Sequence, residues 1–376
     1  MTGRFDRANW RFRGLIRVAL GLALSGVLAS PSLAQAVVEP APADPGPLAD
    51  RGASRCPHCI HIAVEVTDKK GHPVSELSAG DFSLFDNDQP EKLVDFHAVE
   101  ADHPAKMPLR VLIVIDAINQ DFLSTARERD GLADFLKQND GKLAHPTSFA
   151  ILTDYGVKVE DGPTQNGNEL LASLDKSRSE LRTINRSAGA YGAGERLAQT
   201  LNHMSNMITY EQKQPGRKLV LFLSPGWPVL SYAARDMDTE HKAQIFHGIV
   251  TMTNALRAAN VTLYCLEPTE GDTFFYDSFL KPVAKAYQAD YSNVALQVLA
   301  VHTGGTVITD GNDVKGEINS ALADASAYYE ISFPAAPAGE TTEYHAITVK
   351  VEKPRLKVRT TAGYYAEPPQ SGVGMP

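Results

Sequence analysis

The hydrophobic pattern changes its period twice along the chain. From Ile60 the residues IHIAVEVTD alternate apolar and polar, DKKGHP interrupts them, and DFSLFDNDQPEKLVDFHAV resumes the alternation around a DND turn. Alternation bounded by turn residues predicts short, half-buried strands, so residues 56–102 are expected to form a small β-unit. From Leu109 uninterrupted apolar runs alternate with segments of helical spacing. The runs are Leu109–Ile115, Ser148–Thr153, Lys218–Leu223 and Val261–Leu266. The helical segments are Phe122–Gln138, with Ser124 as a capping residue, then Leu170–Leu174, Gly194–Tyr210, Thr239–Ala259, Val294–His302 and Val314–Ala325. In the third of these, Leu197, Leu201, Met204 and Ile208 share one face. Strands apolar throughout are covered on both sides, and this order predicts an α/β fold, a doubly wound and mainly parallel sheet over residues 107–326.

After Ala325 the alternation returns in Tyr328–Phe333, Tyr344–Val351, Leu356–Thr361 and Gly363–Tyr365. Neither β-segment has enough strands to be stable alone. The N-terminal unit and the C-terminal strands of residues 327–366 are therefore expected to pack together as a smaller β-module split around the α/β domain.

The first residues follow another pattern. Arg11, Arg13 and Arg17 precede the apolar run VALGLALSGVLA, and SPSLAQA follows. A basic stretch, a short apolar core and small residues before a cut define an export signal, expected over residues 1–34 with cleavage after Ala34. The run is shorter than the roughly 20 residues of a spanning helix, so no membrane insertion is expected after cleavage. Residues 35–55, rich in Ala, Pro and Asp, read as a flexible lead-in, and residues 367–376 as a disordered tail. Removing residues 1–34 leaves 31 basic and 44 acidic side chains, a net charge of −13. An exported chain this acidic, periplasmic or secreted, is a poor partner for nucleic acid.

Several segments in this order carry a resemblance. They are VTDKKGHPVSELSAGDFSLFDNDQPEKLVDF, LRVLIVIDAINQ, GRKLVLFLSPGW, VTLYCLEP, LAVHTGGTVITDGNDVKGEINSALADASAYYEISF and HAITVKVEKPRLKVRTTAGYY. Together they resemble the von Willebrand factor A-related proteins of acidobacteria, over about residues 60–366. The resemblance implies an exported protein with an A-type domain and flanking β-segments; that family has no agreed activity. A-type domains elsewhere bind proteins, often through a metal at the top of the sheet, held by an Asp-x-Ser-x-Ser motif, a Thr and a further Asp. An oxygen-rich shell of that kind suits Mg²⁺ or Ca²⁺. Here Asp116 keeps the first position, but Ile118 and Gln120 stand at the two Ser positions. The Thr position falls near Ser187 or Ala188, and Ser224-Pro225-Gly226 replaces the loop with the last Asp. The site is expected to be degenerate, with no cofactor. Asp116, Asn119 and Asp121 are the residual metal candidates, and Asp116 reads better as a turn or cap acceptor for the next helix.

The expected function is therefore non-enzymatic binding or scaffolding, with a protein partner. Trp227 follows the third loop, and the insertion after Leu266 carries Phe274, Phe275, Tyr276, Phe279, Tyr287 and Tyr291. Both leave the carboxyl edge of the sheet, where ligands of such folds sit, and aromatic side chains suit an interface. The competing reading is that these rings pack on each other.

Other functions remain open on the sequence. A cation-dependent adhesion domain would use the atypical shell around Asp116. A thiol oxidoreductase would use Cys56-Pro57-His58-Cys59, although such chemistry needs a thiolate at a helix N-terminus and IHIAVEV reads as a strand. A disulfide between Cys56 and Cys59 fits an oxidising compartment better. His58 and His61 could join them on Zn²⁺, but the spacing matches no structural zinc module. Ser224 could be a nucleophile, yet Pro225 removes the N–H an oxyanion hole would use. Cys265, inside an apolar run, is expected to be a buried small hydrophobe.

Overall fold

In a computed structural model, the described residues are 56, 59–99, 109–177, 189–229, 237–266, 276–309, 313–340 and 342–366. The leader, the lead-in, the tail, Phe274, Phe275, Ser187 and Ala188 lie outside them.

The chain begins with β1 (Cys59–Thr67), β2 (Phe82–Asp86), β3 (Gln89–Glu91) and β4 (Asp95–Val99). The β2–β3 turn is Asn87-Asp88, both at positive φ (47° and 64°). Two such residues give the tight turn whose twist matches antiparallel strands. The α/β half follows with β5 (Arg110–Asp116), α1 (Phe122–Lys137), β6 (Lys142–Thr153), β7 (Gly156–Asn166), α2 (Gly167–Lys176) and α3 (Gly189–Gln212). Next come β8 (Lys218–Leu223), α4 (Thr239–Ala258), β9 (Val261–Leu266), α5 (Leu296–His302), β10 (Val307–Ile308) and α6 (Val314–Asp324). The chain closes with β11 (Tyr328–Pro334), β12 (Tyr344–Val351), β13 (Lys357–Thr360) and β14 (Gly363–Tyr365).

The central sheet has the order β10-β9-β8-β5-β6-β7, parallel except for the antiparallel β6–β7 pair. Its central strands β5, β8 and β9 are apolar on both faces because both are covered. Val111, Ile113 and Ile115 belong to the core under α1 and α6, while Leu112 and Val114 belong to the core that includes Met204 of α3 and Leu256 of α4. Polar caps fix where several helices begin. The carboxylates of Asp121, Asp238 and Asp313 accept the backbone N–H of Ser124, His241 and Gly316, capping α1, α4 and α6. Asp121, not Ser124, is thus the cap of α1, and Ser124 supplies the N–H.

Two differences from the sequence reading concern the β6–β7 hairpin. β6 starts at Lys142 rather than Ser148, and β7 was not expected. The first half of β6 contains Pro146 and irregular register, and GVKVEDGPTQN carries Gly162-Pro163. Pro in a strand is tolerated at an edge or irregularity, and β7 is the sheet's edge.

The remaining strands form two antiparallel sheets of mixed origin, β13-β1-β11-β4 and β14-β12-β2-β3. β1 runs between β11 and β13, and β2 pairs with β12. Ile62, Val64, Leu84, Ile331, Phe333 and Val349 share the core between these sheets. This sandwich is tied to the α/β half. Arg217 pairs with Glu65 of β1 at 2.5 Å and lies 4.2 Å over the Tyr328 ring, all of it buried. Arg359 of β13 pairs with Asp324 and donates to the Gly304 carbonyl at 2.8 Å. The described residues from Cys59 onward cluster as a single unit. No helix among the described residues is long and apolar enough to cross a membrane.

Candidate functional site

β5 lies between β8 and β6, so Asp116 ends a central strand and is fully buried. Its Oδ1 accepts the backbone N–H of Ile118 (3.1 Å) and of Asn119 (3.2 Å). Its Oδ2 accepts the Asn119 side-chain amide (2.8 Å) and the Ser224 hydroxyl (2.8 Å). An ionised carboxylate offers about four lone-pair positions, and all are taken. Burial pushes the Asp116 carboxyl above its usual range, and the donors from Asn119, Ser224 and Ile118 only partly offset it. The Asn119 amide also donates to Thr200 on α3 at 2.9 Å, and the Ser224 hydroxyl accepts the Gly226 N–H at 3.1 Å. The loop after β5, the loop after β8 and α3 are thereby stitched together at this one carboxylate.

The residual metal candidates separate. Asp116 and Asn119 face each other, whereas Asp121 turns its exposed carboxylate to the first turn of α1. Ile118 is 1% exposed and packs into the core, and the Gln120 amide donates to Glu128. Among the described residues, no three His, Cys, Asp or Glu side chains group as they would around a metal ion.

Three residues near this edge were not singled out from sequence. Thr200 is fully buried, and it falls four residues before Met204 in the apolar stripe of α3. A hydroxyl inside such a stripe was the available signal. His203, also buried, is held below its ordinary pKa by burial. Gln297, in the first turn of α5, is fully buried, and neither of its amide atoms has a hydrogen-bond partner. Gly226, at φ +93°, is the reason it fits: a Cβ there would fall 2.3 Å from the Gln297 nitrogen.

The aromatic reading needs correction. Trp227 is 3% exposed and meets Phe222 edge-on, with ring centroids 6.1 Å apart. It is a core residue. Tyr276, Phe279 and Tyr291 are partly buried against the same core, and Tyr287 is exposed. Among the described residues, the large apolar side chains exposed on the carboxyl edge after β5 and β6 are Phe122 (56%), Leu123 (77%) and Tyr155 (90%). Phe122 and Leu123 read as helix from sequence; what exposes them is the helix start, set by the Asp121 cap.

Cys56 and Cys59 are disulfide-bonded, and Cys59 opens a strand rather than a helix. Cys265 is a buried free thiol. His61 bonds Ser332 on the neighbouring strand at 2.7 Å. Ser224 is fully buried with its hydroxyl committed to Asp116.

No family model and no curated protein matches the chain. Among solved structures it is similar to the human COPII-coat protein Sec24c, with a TM-score of 0.33 and 8% identity over 69% of this chain. It spans only 44% of that protein's chain. It is also similar to the N-terminal domain of TFIIH p34, with a TM-score of 0.21 and 13% identity over 52% of this chain and 97% of that one. Likeness at this level says nothing of function. The architecture itself is mixed α/β, a mainly parallel central sheet flanked by antiparallel sheets.

Proposed function

We propose that the chain is an exported, non-enzymatic binding protein. Its α/β half is a von Willebrand factor A-like domain that meets a protein partner at the carboxyl edge of the sheet without a bound cation. The observation that carries this reading is the saturated Asp116 carboxylate. A cation there would have to displace two backbone N–H groups, an amide and a hydroxyl, in a buried site at which, among the described residues, no three His, Cys, Asp or Glu side chains gather. Exposed Phe122, Leu123 and Tyr155 on the same edge supply contact area of the kind that interfaces bury. The leader pattern and the disulfide-bonded Cys56 and Cys59 support export to an oxidising compartment.

Thermal unfolding in EDTA, Mg²⁺, Ca²⁺ and Mn²⁺ tests the first half. An ion that binds only the native state raises the midpoint by mass action, and none is expected to. A rise abolished by Asp116→Ala would make this a cation-dependent adhesion domain instead. For the second half, a photocrosslinking residue at Leu123 or at Tyr155 is expected to give the same adduct in cells, and one at Tyr287 is not. Loss of that selectivity would remove the edge from the reading.

A further inference from the structure

The β14-β12-β2-β3 sheet of the sandwich holds a buried histidine between two carboxylates. His345 of β12 stands opposite Tyr364 of β14, and β2, on the other side of β12, ends in Asp86. All three side chains are buried. The His345 Nδ1 lies 2.8 Å from Asp86 Oδ1, and the Tyr364 hydroxyl donates to Asp86 Oδ2 at 2.6 Å. The His345 and Tyr364 rings stack with centroids 4.9 Å apart. Burial pushes the Tyr364 hydroxyl up, so it stays a donor to this carboxylate.

With the Nδ1–H given to Asp86, Nε2 decides the charge of the ring. It lies 4.0 Å from Glu343 Oε1 and makes no hydrogen bond, roughly 1 Å beyond hydrogen-bond reach. A neutral ring turns a lone pair toward that carboxylate. A protonated ring turns an N–H toward it and stands between two anions, which favour its charge. Glu343 is partly exposed and has room to close the gap, while its Oε2 accepts the Gly339 N–H at 2.8 Å. The titratable groups facing the ring are Asp86 from β2, Tyr364 from β14 and Glu343 from the segment entering β12; Glu91 of β3 acts on Tyr364 from further away. Tyr344 and Tyr365 pack on each other on the opposite face. No described Lys or Arg pairs with Asp86 or Glu343. The same groups hold neighbouring chain: the Tyr364 hydroxyl accepts the Ala336 N–H at 3.2 Å, and the Glu343 carbonyl accepts the Ala366 N–H at 2.9 Å.

We propose that His345 is a proton-binding switch: on acidification its Nε2–H closes onto Glu343, and the bridge Asp86–His345–Glu343 fastens this sheet to the segment entering β12. The test follows the histidine ring nitrogens and the backbone amides of the ¹⁵N-labelled full chain by NMR from about pH 8 to about pH 5, where histidine ordinarily titrates. Nδ1 of His345 is expected to keep its proton throughout while Nε2 gains one, and the Gly339 amide is expected to shift with the same midpoint. Glu343→Gln keeps an oxygen for the Gly339 N–H and removes the charge. It is expected to lower the His345 midpoint by about half a pH unit, the size of a partly exposed ion pair. His345→Gln is expected to abolish the Gly339 shift over this range; where that variant fails to fold, Glu343→Gln carries the test. A ring that keeps one charge over the whole range, a proton leaving Nδ1 instead of Nε2, a Gly339 amide that does not follow the ring, or an unchanged midpoint in Glu343→Gln would each overturn the proposal.

Discussion

Asp116 at the carboxyl edge of the central sheet and Arg217 at its amino edge are both buried ionisable groups, and they are accommodated differently. Asp116 is held by neutral donors from two loops, and no described cation pairs with it. Arg217 meets an opposite charge, Glu65, donates to the Thr262 hydroxyl and lies over an aromatic ring. The first arrangement closes loops within one domain. The second crosses to the β-sandwich, and it leaves Glu65 Oε2 and Arg217 Nη1 without hydrogen bonds. Neutral donors can hold a buried carboxylate locally, whereas an ion pair joins two layers only as long as both members stay.

The contrast predicts unequal damage. Removing one member of the pair, by Glu65→Ala or Arg217→Met, is expected to cost about 3–5 kcal/mol, because the other charge stays buried alone. The double replacement Glu65→Leu with Arg217→Met should recover most of that in urea unfolding. If the single and double variants lose the same, the pair is not what the sandwich depends on.

Asp116→Asn is expected to cost less, about 1–3 kcal/mol at acid pH, because an amide nitrogen replaces one acceptor facing Asn119 and Ser224. Its pH dependence is diagnostic. Burial raises the Asp116 pKa above 3.8, so the folded chain holds this proton more tightly than the unfolded one. The stability tied to that proton is complete below 3.8 and is lost as pH rises through the folded value. Asp116→Asn cannot lose it, so its deficit against the parent should shrink from pH 4 to pH 7. A deficit that grows instead would mean that the four donors outweigh burial.

Smaller effects bracket the same edge. Asp121→Ala removes only the cap of α1 and should cost about 1 kcal/mol by thermal unfolding. Leu123→Ser should change stability by less than about 0.5 kcal/mol, since the side chain is exposed. It would then be a clean probe of binding.

Much of the sheet could be read in advance because β5, β8 and β9 are apolar on both faces and nothing else explains such runs. β7 could not, because an edge strand needs no apolar face and Gly162-Pro163 reads as a break. At the site, Asp116 was found from its place at a strand end. Thr200 and Gln297 come from helices far along the chain, and only the fold brings them to this edge. Trp227 was misjudged because a lone aromatic after a strand looks the same whether it turns outward or, as here, back onto Phe222.

The interleaving of β1 between β11 and β13 has a consequence in time. A chain emerging from its N-terminus delivers Ile60, Ile62, Val64 and Val66 long before Tyr329, Ile331 and Phe333, which share a core with them. Until the last strands arrive, that apolar row is uncovered while the α/β half can already be folding. The sandwich therefore acts as a completion check: it closes only on a chain delivered whole, and a chain cut short before Tyr328 presents an open strand edge to proteases and chaperones.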